Sequence, residues 1–334
     1  MIISKQRVIL WLYILIVCAV LRGVFFLLNI NAAFPIEESR LINVSSGSTF
    51  TNVVNNLAEQ GLVSNSFDIR LYGRLSGKVS QIQAGEYELS PGMNSREFLQ
   101  MLISGDVVFH QVVLLEGWTL SQSLEEIQAH PMVQSTLESG DKDELQALFQ
   151  SPYYPEGLAF PDTYNFSRGT TDSEILIRAK NMMEETLVEL WEARDAGLPY
   201  ENSFEALIMA SIIEKETGLA SERQQISGVF IRRLQQGMRL QTDPTVIYGL
   251  GEAFDGNLTR DDLRAMTPYN TYRIDGLPPT PIALPGRESI FASLHPDQSD
   301  TLYFVAKGDG SHYFSSTLEE HEQAVEQYQL GNRQ

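Results

Sequence analysis

The chain has 334 residues, 43% hydrophobic and 20% charged, and a formal net charge of −19. That length allows about two domains, and the composition excludes disordered and fibrous classes. The acidic balance excludes nucleic acid as the main partner, because binding phosphates requires a basic surface. The lone cysteine, Cys18, lies inside an apolar segment, so no internal disulfide can form and no thiolate chemistry is expected. The five histidines are scattered, with no H-E-x-x-H pair, so neither a metal site nor a cofactor is expected.

Lys5 and Arg7 precede an apolar run over residues 8–30, interrupted only by Arg22. A membrane-spanning helix needs about 20 such residues. Trp11 and Tyr13 stand where an interfacial aromatic belt would lie. Residues 1–30 are therefore expected to be a cytoplasmic tip and transmembrane anchor, with the bulk of the chain outside. The competing reading, a cleaved signal peptide, is disfavoured by the length of the run and by Asn31-Ala32-Ala33, a poor cleavage site. Arg22 is placed toward the outer end of the span, snorkelling to the interface.

Residues 31–41 read as a tether. Val44 to Phe50 reads as a strand and turn, and Phe50, Val53, Val54 and Leu57 then fall on one helical face. A second helix is expected from Ser66 to Tyr72, a strand over Gly85 to Leu89, and a helix capped by Ser95. Together these make an α+β module over residues 42–105. Its strand, hydroxyl-rich turn and helix resemble a LysM-type carbohydrate-binding module, and a spacer domain without sugar affinity stays open beside that reading.

The remainder, residues 106–334, reads as a larger α+β domain. A strand is expected over residues 107–115, and Thr119-x-x-Gln122 is a capping box. An aromatic, Pro- and Gly-rich loop runs over residues 153–164, followed by a long amphipathic helix over residues 172–194. Ser203 begins a helix that ends in Glu214-Lys215-Glu216-Thr217 before Gly218, and Ser221-x-x-Gln224 reads as a fresh capping box. Asp243 is expected to cap a helix with Pro244 at its first position. The C-terminus reads as a hairpin over residues 301–316 and a helix capped by Thr317-x-x-Glu320.

Glu214 shares a helix face with Leu207, Ala210 and Ser211. A carboxyl on that apolar face would be desolvated, which raises its pKa and suits it to donate a proton near neutral pH. The other reading is a buried structural carboxylate paired with Arg223 or Arg239. Glu216 projects about 200° away around the helix and is expected to face solvent or a salt bridge.

Several stretches together resemble the YceG-like (MltG) family of endolytic murein transglycosylases. They are Glu156-Gly157 through Pro161-Asp162-Thr163-Tyr164, then Ala210 through Thr217, Ser221-Glu222-Arg223 and Val229 through Leu234. Met238 through Tyr248, Tyr269-Asn270-Thr271-Tyr272 and Gly276-Leu277-Pro278-Pro279 continue the order. One departure is Gly157-Leu158-Ala159-Phe160, where relatives carry bulkier aromatics.

The resemblance implies Glu214, the first glutamate of the motif, as a single acid/base. It implies cleavage of the bond between N-acetylmuramic acid and N-acetylglucosamine without water, leaving an anhydro-muramic end. No second carboxylate is needed, unlike the usual retaining glycosidase. Expected substrate-binding groups are Glu156, Asp162, Gln241, Thr242, Asp243, Asn270 and Tyr272. The resemblance further implies an inner-membrane anchor, a periplasmic catalytic domain, nascent peptidoglycan strands as substrate and penicillin-binding proteins as neighbours. Two alternatives stay open. One is a lysozyme-type muramidase using Asp162 or Asp243 as second carboxylate. The other is a non-catalytic peptidoglycan-binding scaffold.

Overall fold

The computed structural model describes residues 5–138 and 141–330. The chain forms two compact units, residues 1–110 and 111–334.

The first unit opens on α1 (Lys5–Asn31), long and apolar enough to cross a membrane and exposed along nearly its whole length. Then follow β1 (Arg40–Val44), α2 (Phe50–Glu59), α3 (Ser66–Ser76), β2 (Gly85–Leu89) and α4 (Ser95–Ser104). Strands β1 and β2 pair antiparallel, from Arg40 opposite Leu89 to Val44 opposite Gly85. This register turns Ile42, Val44, Tyr87 and Leu89 inward against Phe50, Val53, Val54 and Leu57 of α2. Each such side chain contributes about 1.5–3 kcal/mol on burial.

The residues expected to be a tether instead join this core. Phe34 and Ile36 are buried in it, and the Phe34 N–H bonds the Met93 carbonyl at 2.8 Å. The α4 cap is Asn94, one residue before the expected Ser95, and it forms a capping box with Glu97. Arg22 does not simply snorkel: its guanidinium pairs with Asp68 of α3, which is fully buried.

Strand β3 (Phe109–Val113), which runs from the last residues of the first unit into the second, pairs with β4 (Thr163–Ser167). Around this ribbon pack α5 (Leu120–Ala129), α6 (Lys142–Phe149) and α7 (Asp172–Glu192). Helix α8 (Ser203–Glu216) is the hub, with every residue from Ala206 to Ile213 buried. A helix apolar on all sides needs partners on all sides. Those partners are α7, α9 (Arg223–Gln235), α10 (Asp243–Leu250) and α11 (Arg287–Leu294). The antiparallel hairpin β5 (Tyr303–Ala306) and β6 (His312–Ser315) lays Phe304 and Phe314 on the α8–α9 core. Helix α12 (Leu318–Val325) closes the fold on its Thr317–Glu320 capping box.

Two expected caps move. Helix α9 starts at Arg223 after a short turn and uses no Ser221 cap. Helix α10 takes Thr242 rather than Asp243 as its N-cap, so Asp243 and Pro244 form its first turn.

Candidate functional site

The last turn of α8 delivers its two glutamates to opposite sides of the helix, as a separation of about 200° requires. They meet very different surroundings.

Glu214 continues the buried face of Leu207, Ala210 and Ser211, and its side chain is 7% exposed. One oxygen accepts the N–H of Gly286, the residue before α11, at 3.0 Å. The other lies 3.8 Å from the guanidinium of Arg223. Arg239, the other arginine considered as a partner, bonds Asp275 instead at 2.9 Å. Glu116 is the neighbouring carboxyl; burial first, then the charge of Glu214, raise its pKa, against the pull of Arg223. A Cβ added at Gly286 would fall 1.8 Å from a Glu116 oxygen, so this corner is filled by protein.

Glu216 does not face open solvent. It is half-buried, and the Thr242 hydroxyl donates to its Oε1. Burial, with the nearby Asp243 charge adding to it, pushes its carboxyl up to about 7, against the Thr242 bond and the charges of His312 and Arg233. It opens into a cavity of about 410 Å³ whose wall includes Gln241, Thr242, Asp243, Tyr272 and Tyr303. Four of the seven expected substrate-binding residues therefore gather around Glu216, and Glu214 is not among the lining residues.

The cavity wall is held by a polar framework. The Thr242 N–H bonds the Thr271 hydroxyl at 3.0 Å, and Thr245 bonds both Thr271 and the Thr242 carbonyl. Tyr272 donates to Asp243 at 2.7 Å. Gln241 holds φ 52°, a left-handed conformation that costs a non-glycine residue roughly 1–2 kcal/mol. Such strain collects at functional sites. Buried Arg233 spends its N–H groups on the Leu302 and Leu240 carbonyls at 2.7 Å, tying the hairpin to this wall. His312 is anchored by Glu222, 2.7 Å from its Nδ1.

The other three expected residues lie elsewhere. Glu156 is 1% exposed, with both oxygens engaged. It accepts the Leu120 N–H at 2.7 Å, at the start of α5, and the Tyr248 hydroxyl at 3.0 Å, from α10. Burial pushes its carboxyl up to about 7. It thereby pins α10, whose first turn carries Asp243. Asn270 is fully buried; its amide donates to the Ala265 and Asp262 carbonyls and its oxygen accepts the Tyr272 N–H, so it shapes the turn that presents Tyr272. Asp162 is exposed at the start of β4, where its carboxylate accepts its neighbour's N–H.

Sequence reasoning passed over Glu216, Arg233, Tyr303 and His312. Only Glu216 carried a signal, as an acidic residue ending an otherwise buried helix. Chemically, the arrangement is a carboxyl that holds its proton near neutral pH, opening on a cavity of hydroxyl, amide and aromatic groups. Such a group can act as general acid and then as base.

A model of the YceG-like family matches residues 42–327. The chain is 33% identical over 328 residues to the endolytic murein transglycosylase of Bacillus subtilis (strain 168), covering 92% of this chain and 90% of that relative. It is 27% identical over 346 residues to the endolytic murein transglycosylase of Streptococcus pneumoniae serotype 2 (strain D39 / NCTC 7466), spanning 61% of that longer protein. The crystal structure of a YceG-like protein from Listeria monocytogenes matches with a TM-score of 0.55 at 31% identity, covering 86% of this chain and 100% of that one. The family match takes in both units and every residue of the cavity wall discussed above, and the chain belongs to the YceG-like family.

Proposed function

We propose that the protein is an endolytic peptidoglycan lytic transglycosylase in which Glu216 is the acid/base. The observation that carries this is the Glu216 carboxyl, pushed up to about 7 and opening on the cavity that gathers Gln241, Asp243 and Tyr272. The protonated carboxyl donates to the glycosidic oxygen between N-acetylmuramic acid and N-acetylglucosamine, and that bond breaks. The resulting carboxylate takes the proton of the muramic C6 hydroxyl, whose oxygen closes on the anomeric carbon. No water is consumed, and the acid is regenerated.

This assigns the role to the second glutamate of the motif rather than the first. Glu214 is engaged by the Gly286 N–H and faces Arg223 in a corner packed with protein. A proton donor needs a substrate oxygen within hydrogen-bond reach, and the cavity offers that reach to Glu216.

The names of the relatives support action on murein, and the apolar α1 supports an anchor in the membrane. The N-terminus lies in the cytoplasm, α1 crosses the inner membrane, and the chain beyond α1 lies in the periplasm. There the enzyme cuts nascent strands, terminating their elongation beside penicillin-binding proteins.

The test is digestion of purified peptidoglycan by the full chain and by Glu216→Gln and Glu214→Gln, with the sugar ends identified by mass spectrometry. Anhydro-muramic ends that vanish with Glu216→Gln and persist with Glu214→Gln support the assignment. The reverse pattern returns the role to Glu214. Reducing ends point to a muramidase, with Asp243, which shares the cavity, as second carboxylate. No cleavage by the folded parent favours a binding scaffold.

A further inference from the structure

The first unit carries a feature that glycan cleavage does not use. Helix α3 leaves one face uncovered. Phe67 is 59% and Leu75 69% exposed, with Leu71 partly exposed between them. Arg70 and Arg74 stand on the same face, since positions 67, 70, 71, 74 and 75 fall within one side of a helix. Arg70 bonds neutral Asn55, and Arg74 pairs with no carboxylate among the described residues. In a protein of net charge −19, two uncompensated arginines beside exposed Phe and Leu form a distinct patch. They border a cavity of about 740 Å³ whose lining also includes Ser48, Thr49 and Ser80.

The position of this face along α1 is fixed. Asp68, on the flank of α3, takes Arg22 and, at 2.7 Å, the amide of Asn29. Burial opposes a charge at Asp68, but the bonds from Arg22, Asn29 and Asn65 outweigh it and hold the carboxyl below its ordinary value. The Arg22 guanidinium also lies 5.7 Å from the Phe67 ring centroid. The apolar part of α1 before Arg22, residues 8–21, is about 21 Å long at 1.5 Å per residue. A bilayer's hydrocarbon core is about 30 Å thick, and about 40–45 Å with its headgroups. The clamped segment from Arg22 to Asn29 therefore lies in the outer third of the hydrocarbon and at its edge beside the headgroups, and α3 is held there with it.

We propose that the α3 face is a lipid-docking surface: Phe67, Leu71 and Leu75 enter the headgroup layer, and Arg70 and Arg74 take the phosphate of an anionic phospholipid. Apolar and basic side chains on one helix face are the chemistry of an interfacial helix. The exposed apolar surface of α1 is continuous with it through the Arg22–Phe67 contact. This rests on α1 spanning the bilayer.

The test uses the full chain reconstituted into vesicles of phosphatidylcholine, alone or mixed with phosphatidylglycerol. A nitroxide is attached at native Cys18, or at Phe67→Cys, Leu75→Cys or Glu59→Cys in a Cys18→Ser background. Collision with oxygen, which favours lipid, is compared with collision with a water-soluble nickel chelate. The expected result is a deep label at position 18, shallow lipid-exposed labels at 67 and 75, and an aqueous label at exposed position 59. Native mass spectrometry should show retained phosphatidylglycerol, reduced about twenty- to thirtyfold by the double change Arg70→Gln and Arg74→Gln. Aqueous labels at 67 and 75 with a deep label at 18 would overturn the docking surface and leave the anchor standing. An aqueous label at 18 would overturn both. Displacement of the lipid by millimolar inorganic phosphate would overturn the lipid assignment in favour of a free-anion site.

Discussion

Replacing Glu156 by Gln should remove a large part of the pH dependence of stability. The folded carboxyl is pushed from an ordinary 4.5 to about 7 by burial. The folded protein thus keeps this proton up to about pH 7, while the unfolded chain releases it near 4.5. Between those values the folded state binds more protons, so stability falls as pH rises. The full contribution is present below the unfolded pKa and is lost as pH passes the folded one. At about 1.36 kcal/mol per pH unit the whole effect is about 3 kcal/mol, and about 2.5 kcal/mol of it lies between roughly pH 5 and pH 8. Glu156 is 1% exposed, so solvent screening takes little from this figure. For a unit of this size that corresponds to roughly 5–10 °C in Tm. A glutamine keeps an acceptor for the Leu120 N–H and can donate to the Tyr248 oxygen, imitating the protonated acid without titrating. The assay is calorimetry of the full chain in detergent, parent and variant, across that range. The variant should melt close to the parent near pH 5 and roughly 5–10 °C above it near pH 8, because other titrating groups cancel in the subtraction. A flat difference would refute the argument that burial controls this carboxyl.

Glu216, also pushed up to about 7, should give the parent enzyme a rate that falls up to about tenfold per pH unit above about 7, as the proton donor is lost. Released anhydro ends counted against pH check this. Gly157→Ala should destabilise the second unit by about 1–3 kcal/mol, because its φ is +78° and an added Cβ would lie 2.4 Å from the Pro281 ring; thermal denaturation reads it. Gln241→Gly should raise stability by about 0.5–1 kcal/mol, the relieved left-handed strain less glycine's extra unfolded-state entropy, while lowering activity through the lost amide; melting and digestion are measured on one preparation.

Much of the local structure was legible because local rules wrote it. Phe50, Val53, Val54 and Leu57 all point inward as their spacing requires. The boxes at Thr119 and Thr317 form as read. Caps shifted by one residue, Asn94 for Ser95 and Thr242 for Asp243, show the limit of that reading: where polar residues stand side by side, the backbone's entry into the helix decides which is the cap, and Thr242 takes that place with its hydroxyl on Glu216 rather than on a helix N–H. Elements α6, β4 and α11 lie outside the sequence expectations. Each has eight residues or fewer, too short to display a period. Phe34 and Ile36 escaped for the same reason, since two apolar residues in a short segment carry no pattern, although tertiary packing buries both.

The functional site divides along the same line. Residue type within the motifs that carry the family resemblance marked Gln241, Thr242, Asp243 and Tyr272, and the fold gathers them in one cavity. Helix geometry also separated the two glutamates correctly, because about 200° of rotation must send them to opposite sides of α8. What it could not supply was the content of each side. The apolar face of Leu207 and Ala210 leads Glu214 to Gly286, 72 residues downstream. The other side meets Thr242, 26 residues on, and the hairpin carrying Tyr303 and His312 beyond it. A desolvated carboxyl becomes an acid that can serve a substrate only where the protein leaves a space beside it. Burial on the apolar face identifies a carboxyl held by protein, and incomplete burial beside a cavity identifies one that can reach a sugar. The two-residue offset in the proposed assignment rests on that distinction, which is a property of long-range packing rather than of helix phase.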